Sequence, residues 1–162
     1  PHSTPVVNLN LTNFPGRPGG SEIQGENTLD MCLYDGKNST STRTYLRFED
    51  DGLPSMDRAE EAFSIRRRGG SQTDARDRLD YQVFVTNPVT GATETVANGK
   101  TLVWQGTNDP QHLRQVVLPG GRESVLCVPA PIVLKTPAFA ASSKNAGDYT
   151  GTLRIIYTPS TL

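Results

Sequence analysis

Histidine, tryptophan and cysteine are nearly missing from this chain, whose 162 residues hold two, one and two of them. The histidines are His2, in a terminal tail, and His112, beside a turn, so a histidine-based triad or zinc site would need two unrelated segments to converge. Charge of one sign is missing too. Sixteen Lys+Arg against 17 Asp+Glu leave a formal net charge of -1 with a pI near 6.2, and no global field draws such a domain to nucleic acid or anionic lipid. No apolar run approaches the roughly 18 residues of a membrane-crossing helix. No basic segment leading into an apolar one opens the chain as a signal peptide would. These scarcities set the expectations: no nucleic-acid partner, no membrane insertion, no metal, no cofactor and no enzymatic activity. They also make the chain read as a mature fragment whose residues 1–5, "PHSTP", are a linker or the remnant of an added sequence.

What the chain does hold is turn formers. Fifteen Gly and 12 Pro among many Thr, Ser and Asn, with 35% apolar residues, describe short strands joined by turns. The only helix-friendly stretch is "MDRAEEAF", Met56 to Phe63. A chain of this length is one ordinary domain able to bury about two-thirds of its unfolded surface. The expected class is all-β.

Alternation places the strands. "PVVNLNL" sets Val7, Leu9 and Leu11 against Asn8, Asn10 and Thr12 and reads as a first strand; "TLDMCLYD" and "RTYLRFED" follow, split by the turn-rich "GKNSTST". "AFSIRRR" is a short strand running into "GGSQTDARD", which is expected to be a mobile polar loop without a binding role. "LDYQVFVTNP" alternates cleanly, "VTGATETVANG" reads as turns, and "KTLVWQG", "HLRQVVLP" and "ESVLCVPAPIVLKTPAF" complete the middle. The end, "YTGTLRIIY", places Tyr149, Gly151, Leu153, Ile155 and Tyr157 on one side and Thr150, Thr152, Arg154 and Ile156 on the other. So apolar a strand at the end of the sequence needs something to cover its far edge.

Cys32 and Cys127 lie in apolar strand-like runs 95 positions apart. Either they bridge or they are two separate buried thiols. A turn-rich chain with no metal or redox spacing around either cysteine favours the bridge, which implies an oxidising compartment and, in the chain-entropy account, roughly 4 to 5 kcal/mol.

The other chemistry-bearing groups each have a plainer reading. "FEDDG", Phe48 to Gly52, clusters carboxylates but lacks the alternate-position ligands of an EF-hand loop, and a solvated turn is favoured. "RRRGG", with Arg76 and Arg78 nearby, offers charge for a phosphate or sugar acid but no interleaved aromatics. "NLT" at Asn10 and "NST" at Asn38 match the glycosylation acceptor pattern, which is short enough to occur by chance. Trp104 is a candidate sugar platform, although a lone Trp in a strand is more often core.

Four pieces taken in order carry a more specific signal: "NLNL" near the start, "LDMCLYDG" followed by "YLRFEDDG", then "VLCVPAPIVL", and finally "NAGDYTGTLRIIYTPSTL". Together they resemble the C-terminal pilin domain of the CfaE/CblD family, the minor tip subunits of alternate (class 5) chaperone-usher fimbriae. The resemblance runs from Val7 to Leu162, and between Met56 and Gly121 it is one of general pattern only.

That resemblance implies an immunoglobulin-like sandwich lacking its seventh strand. A groove between the first and last strands would be lined by Val7, Leu9 and Leu11 and by Leu153, Ile155 and Tyr157, and Cys32 and Cys127 match the family's disulfide pair. The implied partners are a periplasmic chaperone, an outer-membrane usher and the major pilin, whose N-terminal extension supplies a donor strand. The implied location is the fimbrium at the cell surface. An isolated domain of this kind would also be prone to strand-swapped self-association. Residues 1–162 then form one pilin domain, and the family's N-terminal adhesin domain lies outside this chain, so no adhesion residue is carried over. The alternative reading is a stand-alone secreted β-sandwich that binds carbohydrate through Trp104, the arginine loop or "FEDDG"; a small secreted hydrolase is a third, disfavoured by the absence of a nucleophile and base constellation.

Overall fold

The computed structural model describes residues 7–14, 22–33, 43–52, 58–59, 61–107, 109–117, 121 and 124–160. Among these there is no α-helix. Of the helix-friendly stretch, Arg58, Ala59, Glu61, Ala62 and Phe63 are described; Ala62 N–H closes a turn on the Ala59 carbonyl at 3.1 Å, and Phe63 already opens a strand.

In chain order the strands are β1 (Thr12–Phe14), β2 (Glu22–Leu29), β3 (Cys32–Leu33), β4 (Arg43–Asp50), β5 (Phe63–Arg67), β6 (Arg78–Thr86) and β7 (Thr93–Val96). They continue as β8 (Thr101–Gln105), β9 (Arg114–Val117), β10 (Ser124–Pro129), β11 (Ile132–Ala140), β12 (Tyr149–Thr150) and β13 (Leu153–Ser160). A large curled sheet runs β1-β2-β11-β6-β5-β12, with β7 continuing β5's side of β6. Two three-stranded sheets, β3-β10-β9 and β13-β4-β8, complete the immunoglobulin-like sandwich. All pairings are antiparallel.

Alternation decides what each strand buries. Tyr81, Val83 and Val85 of β6 and Ile132 and Leu134 of β11 point inward, with Ile132 opposite Val85 and Leu134 opposite Val83. From β13-β4-β8, Leu46, Phe48 and Trp104 meet them in one core, joined by Phe63, Val96, Leu33, Val128 and Ala130. Phe63 and Tyr81 are cross-strand neighbours with ring centroids 5.6 Å apart. Two polar contacts lie within this core: the Thr44 and Thr107 hydroxyls are 2.7 Å apart, and the Trp104 indole N–H donates to Glu94 at 2.8 Å.

Several elements differ from the sequence expectations. Residues 7–11 alternate but join no strand, and pairing begins at Thr12. Before the disulfide lies β2, an eight-residue strand that was not expected, and "TETV" is a strand rather than a turn. The terminal run is two strands. Thr150 pairs with Arg66 in the large sheet and Leu153 with Asp50 in the small one, so the chain crosses between sheets at Gly151 and Thr152. Glycine eases the crossing, because a Cβ at Gly151 would sit tightly, 3.0 Å from Ile65 Cγ2 and 3.3 Å from the Ser64 carbonyl oxygen.

Candidate partner-binding groove

β13 is an edge strand. Among the described strands it pairs with β4 alone, over eight residue pairs from Leu153–Asp50 to Ser160–Arg43. Its burial alternates as a core-facing strand's should: Leu153, Ile155 and Tyr157 are half-buried and pack on the core, while Arg154, Ile156 and Thr158 are exposed. Their neighbours across the ladder are more enclosed, since Phe48 and Leu46, opposite Ile155 and Tyr157, are both at 0% exposure. The inward face of β13 therefore touches the core without being closed over.

Residues 7–11 bring the second apolar line to the same core. Val7 and Leu9 are half-buried against it, whereas Leu11 is 42% exposed and makes no part of it. The segment is held to β2 by side chains instead of a ladder. Asn27 Nδ2 donates to the Asn8 carbonyl at 2.7 Å, Asn10 Nδ2 to the Glu26 carbonyl at 3.2 Å, and Asn10 N–H to its neighbour Asn8 Oδ1 at 2.8 Å. Asn10 takes φ 54, a left-handed value that asparagine tolerates better than most residues. Gly25 makes the close approach feasible, because a Cβ there would stand 2.2 Å from the Leu9 carbonyl oxygen.

Cys32 of β3 and Cys127 of β10 form a disulfide, with Cα atoms 5.5 Å apart. It lies in the β3-β10-β9 sheet, where Cys32 is opposite Pro129 and Cys127 is almost fully buried.

The other candidate sites are turned to structural use. Asp50 of "FEDDG" accepts both Nη atoms of Arg58 at 3.0 and 3.3 Å, the Ser64 N–H at 2.9 Å and Asn98 Nδ2 at 2.9 Å. Glu49 bonds Arg47 and Arg154, and Asp51 accepts from Thr152 N–H. Trp104 is 3% exposed and presents no face to a sugar. Among the described residues no group of three or more His, Cys, Asp or Glu is placed to hold a metal, and no helix is long and apolar enough to cross a membrane. His112 ends a short 3-10 turn, while His2 and Asn38 lie outside the described residues.

The arginine loop corrects its sequence reading most fully. "GGSQTDARD" is built around Asp77, 3% exposed, which accepts Arg67 Nε at 2.6 Å, Asn145 Nδ2 at 2.8 Å and the Ser71 N–H at 2.9 Å. The Arg67 bond, then the Asn145 and Ser71 bonds, hold its carboxyl far below the usual carboxylate range. Arg66 bonds the Gln72 carbonyl, Arg78 is buried against Asp80, and Arg76 reaches the Ser142 carbonyl. These residues, with Asn145 and Tyr149, were missed as a unit. The available signal was Asp74 before "ARD", whose carboxylate caps the turn by accepting Arg76 N–H.

Comparison with known proteins decides the family. The family defined by the second domain of CfaE, a CFA/I fimbrial protein, matches residues 1–161. This chain belongs to that family. The CFA/I fimbrial protein CfaE of Escherichia coli is 29% identical over 158 residues, 95% of this chain but 39% of its own length. The crystal structure of CfaE, the adhesive subunit of the CFA/I fimbria of enterotoxigenic Escherichia coli, superposes with a TM-score of 0.71 at 27% identity, covering 96% of this chain and 40% of that one. A structure of a chaperone-tip adhesin complex in CFA/I fimbriae biogenesis matches at TM-score 0.63 and 27% identity, over 95% and 39%. The chain thus spans about two-fifths of the relatives it matches, as a CfaE pilin domain would.

Proposed function

We propose that this domain is the assembly module of a fimbrial tip subunit, one that accepts an extended donor strand along the open edge of β13. The donor comes first from a periplasmic chaperone and then, at the outer-membrane usher, from the N-terminal extension of the major pilin. The module so links a receptor-binding domain to the fimbrial shaft at the bacterial surface.

The observation that carries this reading is the half-closed face of Leu153, Ile155 and Tyr157 on an edge strand, with Val7 and Leu9 packed on the same core. An added strand would satisfy the edge's backbone groups, and its alternate side chains would cover those residues. Membership in the second-domain family and the relative solved with its chaperone support the same partner class.

The test is a thermal melt with and without a synthetic peptide of alternating apolar residues, alongside light scattering for strand-exchanged dimers. Each kcal/mol of restored burial raises the melting temperature of a domain this size by roughly 2 to 4 °C, so a bound donor is expected to shift it by about 10 °C or more. A stable monomer whose melt ignores every donor peptide overturns the reading.

A further inference from the structure

The polar lattice around Asp77 takes in Asn145 and Tyr149, which lie shortly before the acceptor edge in the chain. Asn145 ties the 3-10 turn at Ala75–Asp77 to the segment leading into β12: its N–H donates to the Arg76 carbonyl at 2.8 Å and its side chain donates to Asp77 at 2.8 Å. The Tyr149 hydroxyl lies 2.6 Å from the Asn145 carbonyl and 2.8 Å from the Arg76 carbonyl, its one proton shared between them. Arg67, which bonds Asp77, is the residue opposite Tyr149 in the β5-β12 pair, and Arg68 N–H donates to the Asp148 carbonyl at 2.7 Å. Gly147 leaves room for the Arg67 stem, since a Cβ there would be 2.9 Å from Arg67 Cδ.

From Thr150 the chain has only Gly151 and Thr152 before β13 starts. A position fixed at Tyr149 is therefore passed on to Leu153 with little slack. An edge strand with one ladder and a half-covered face is by itself prone to fray, and a frayed acceptor must be ordered again before a donor can bind, lowering apparent affinity by the fraction of molecules already ordered.

We propose that the Asp77-centred lattice is a clamp that holds β13 in its acceptor position before any donor arrives, with Asp77, Asn145 and Tyr149 as positioning residues for strand capture. The capture half of this rests on the function proposed above; the ordering half concerns the free domain alone.

The experiment is hydrogen exchange on the free domain, reading amides 153–158 against those of β6 and β11, for wild type, Tyr149→Phe and Asp77→Asn. Tyr149→Phe removes one hydroxyl and keeps the ring, so it tests the clamp even if Asp77→Asn fails to fold. The clamp predicts exchange at least about tenfold faster at 153–158 with β6 and β11 unchanged, and, where the wild type binds the alternating donor peptide, slower association with that peptide. Exchange at 153–158 that stays at the wild-type rate, or that rises only in step with β6 and β11, overturns the clamp. Failure of the wild type to bind peptide counts against the function proposed above and leaves the exchange result to decide the clamp.

Discussion

Ile155 stands directly opposite Phe48 across the β13-β4 ladder, yet Phe48 is fully buried and Ile155 only half so. Two inward side chains in adjacent strands share a core but not a cover, and the deficit is on the edge side. Ile155→Asp is expected to abolish any donor-induced rise in melting temperature, because the carboxylate would be buried beneath the donor without a partner. Ile156→Asp, on the exposed face, is expected to preserve the rise. Paired melts with donor peptide check both, and equal behaviour of the two variants would refute the assignment of faces.

The disulfide gives a prediction that needs no partner. Non-reducing digestion and mass spectrometry should recover one linked peptide pair containing Cys32 and Cys127. The double Cys→Ala variant should lose about 2 to 5 kcal/mol in chemical denaturation. Two alkylatable thiols in freshly folded protein would contradict the structure.

Gly25→Ala tests how residues 7–11 are held. The added methyl would collide with backbone at Leu9 and Asn10, and backbone gives way less readily than a flexible side chain. A loss of about 1 to 3 kcal/mol is expected, read as a lowered denaturant midpoint at unchanged slope. A neutral result would mean that the segment does not lie against β2.

Asp77 predicts a pH dependence. Its carboxyl titrates well below its ordinary 3.8 because of the bonds from Arg67, Asn145 and Ser71. A depressed folded-state value stabilises the fold at all pH above the unfolded value, and the benefit is lost as pH falls below it towards the folded value. Asp77→Asn should thus be less stable than wild type at neutral pH, with the gap narrowing only below about pH 4. Urea melts across that range check the sign; a gap that widens on acidification would contradict the assignment.

Strands whose stability comes from buried alternation are legible directly. "RTYLRFED" alone bounds a strand at residues 43–50, and β6 and β8 are recognisable in the same way. β2 was invisible because "EIQGENTL" has few apolar side chains and an internal glycine, its order coming from ladders to β1 and β11 on both edges. At residues 7–11 the opposite occurred. Alternation reports which side chains are buried, not whether the backbone is paired, so Val7 and Leu9 were legible and the missing ladder was not. Asp77 was missed since a run of polar residues reads as exposed until the partners that bury it, 68 positions away at Asn145, are known. The family resemblance, resting on four separated pieces in order, survived these local errors, and the placement of the groove rests on the same alternation at its two ends.

The Cys32–Cys127 bridge divides the polypeptide into a covalently closed ring and two tails. A pull on the two ends of this chain cannot pay out the residues inside the ring. The greatest extension on rupture falls to on the order of 200 Å from on the order of 500 Å for the reduced chain. β13 lies in a tail, outside the ring. Under load the strand proposed to hold the next subunit would be among the parts free to yield, with β1, β2, β11 and β12, while β4 to β9 stay tethered behind the bond.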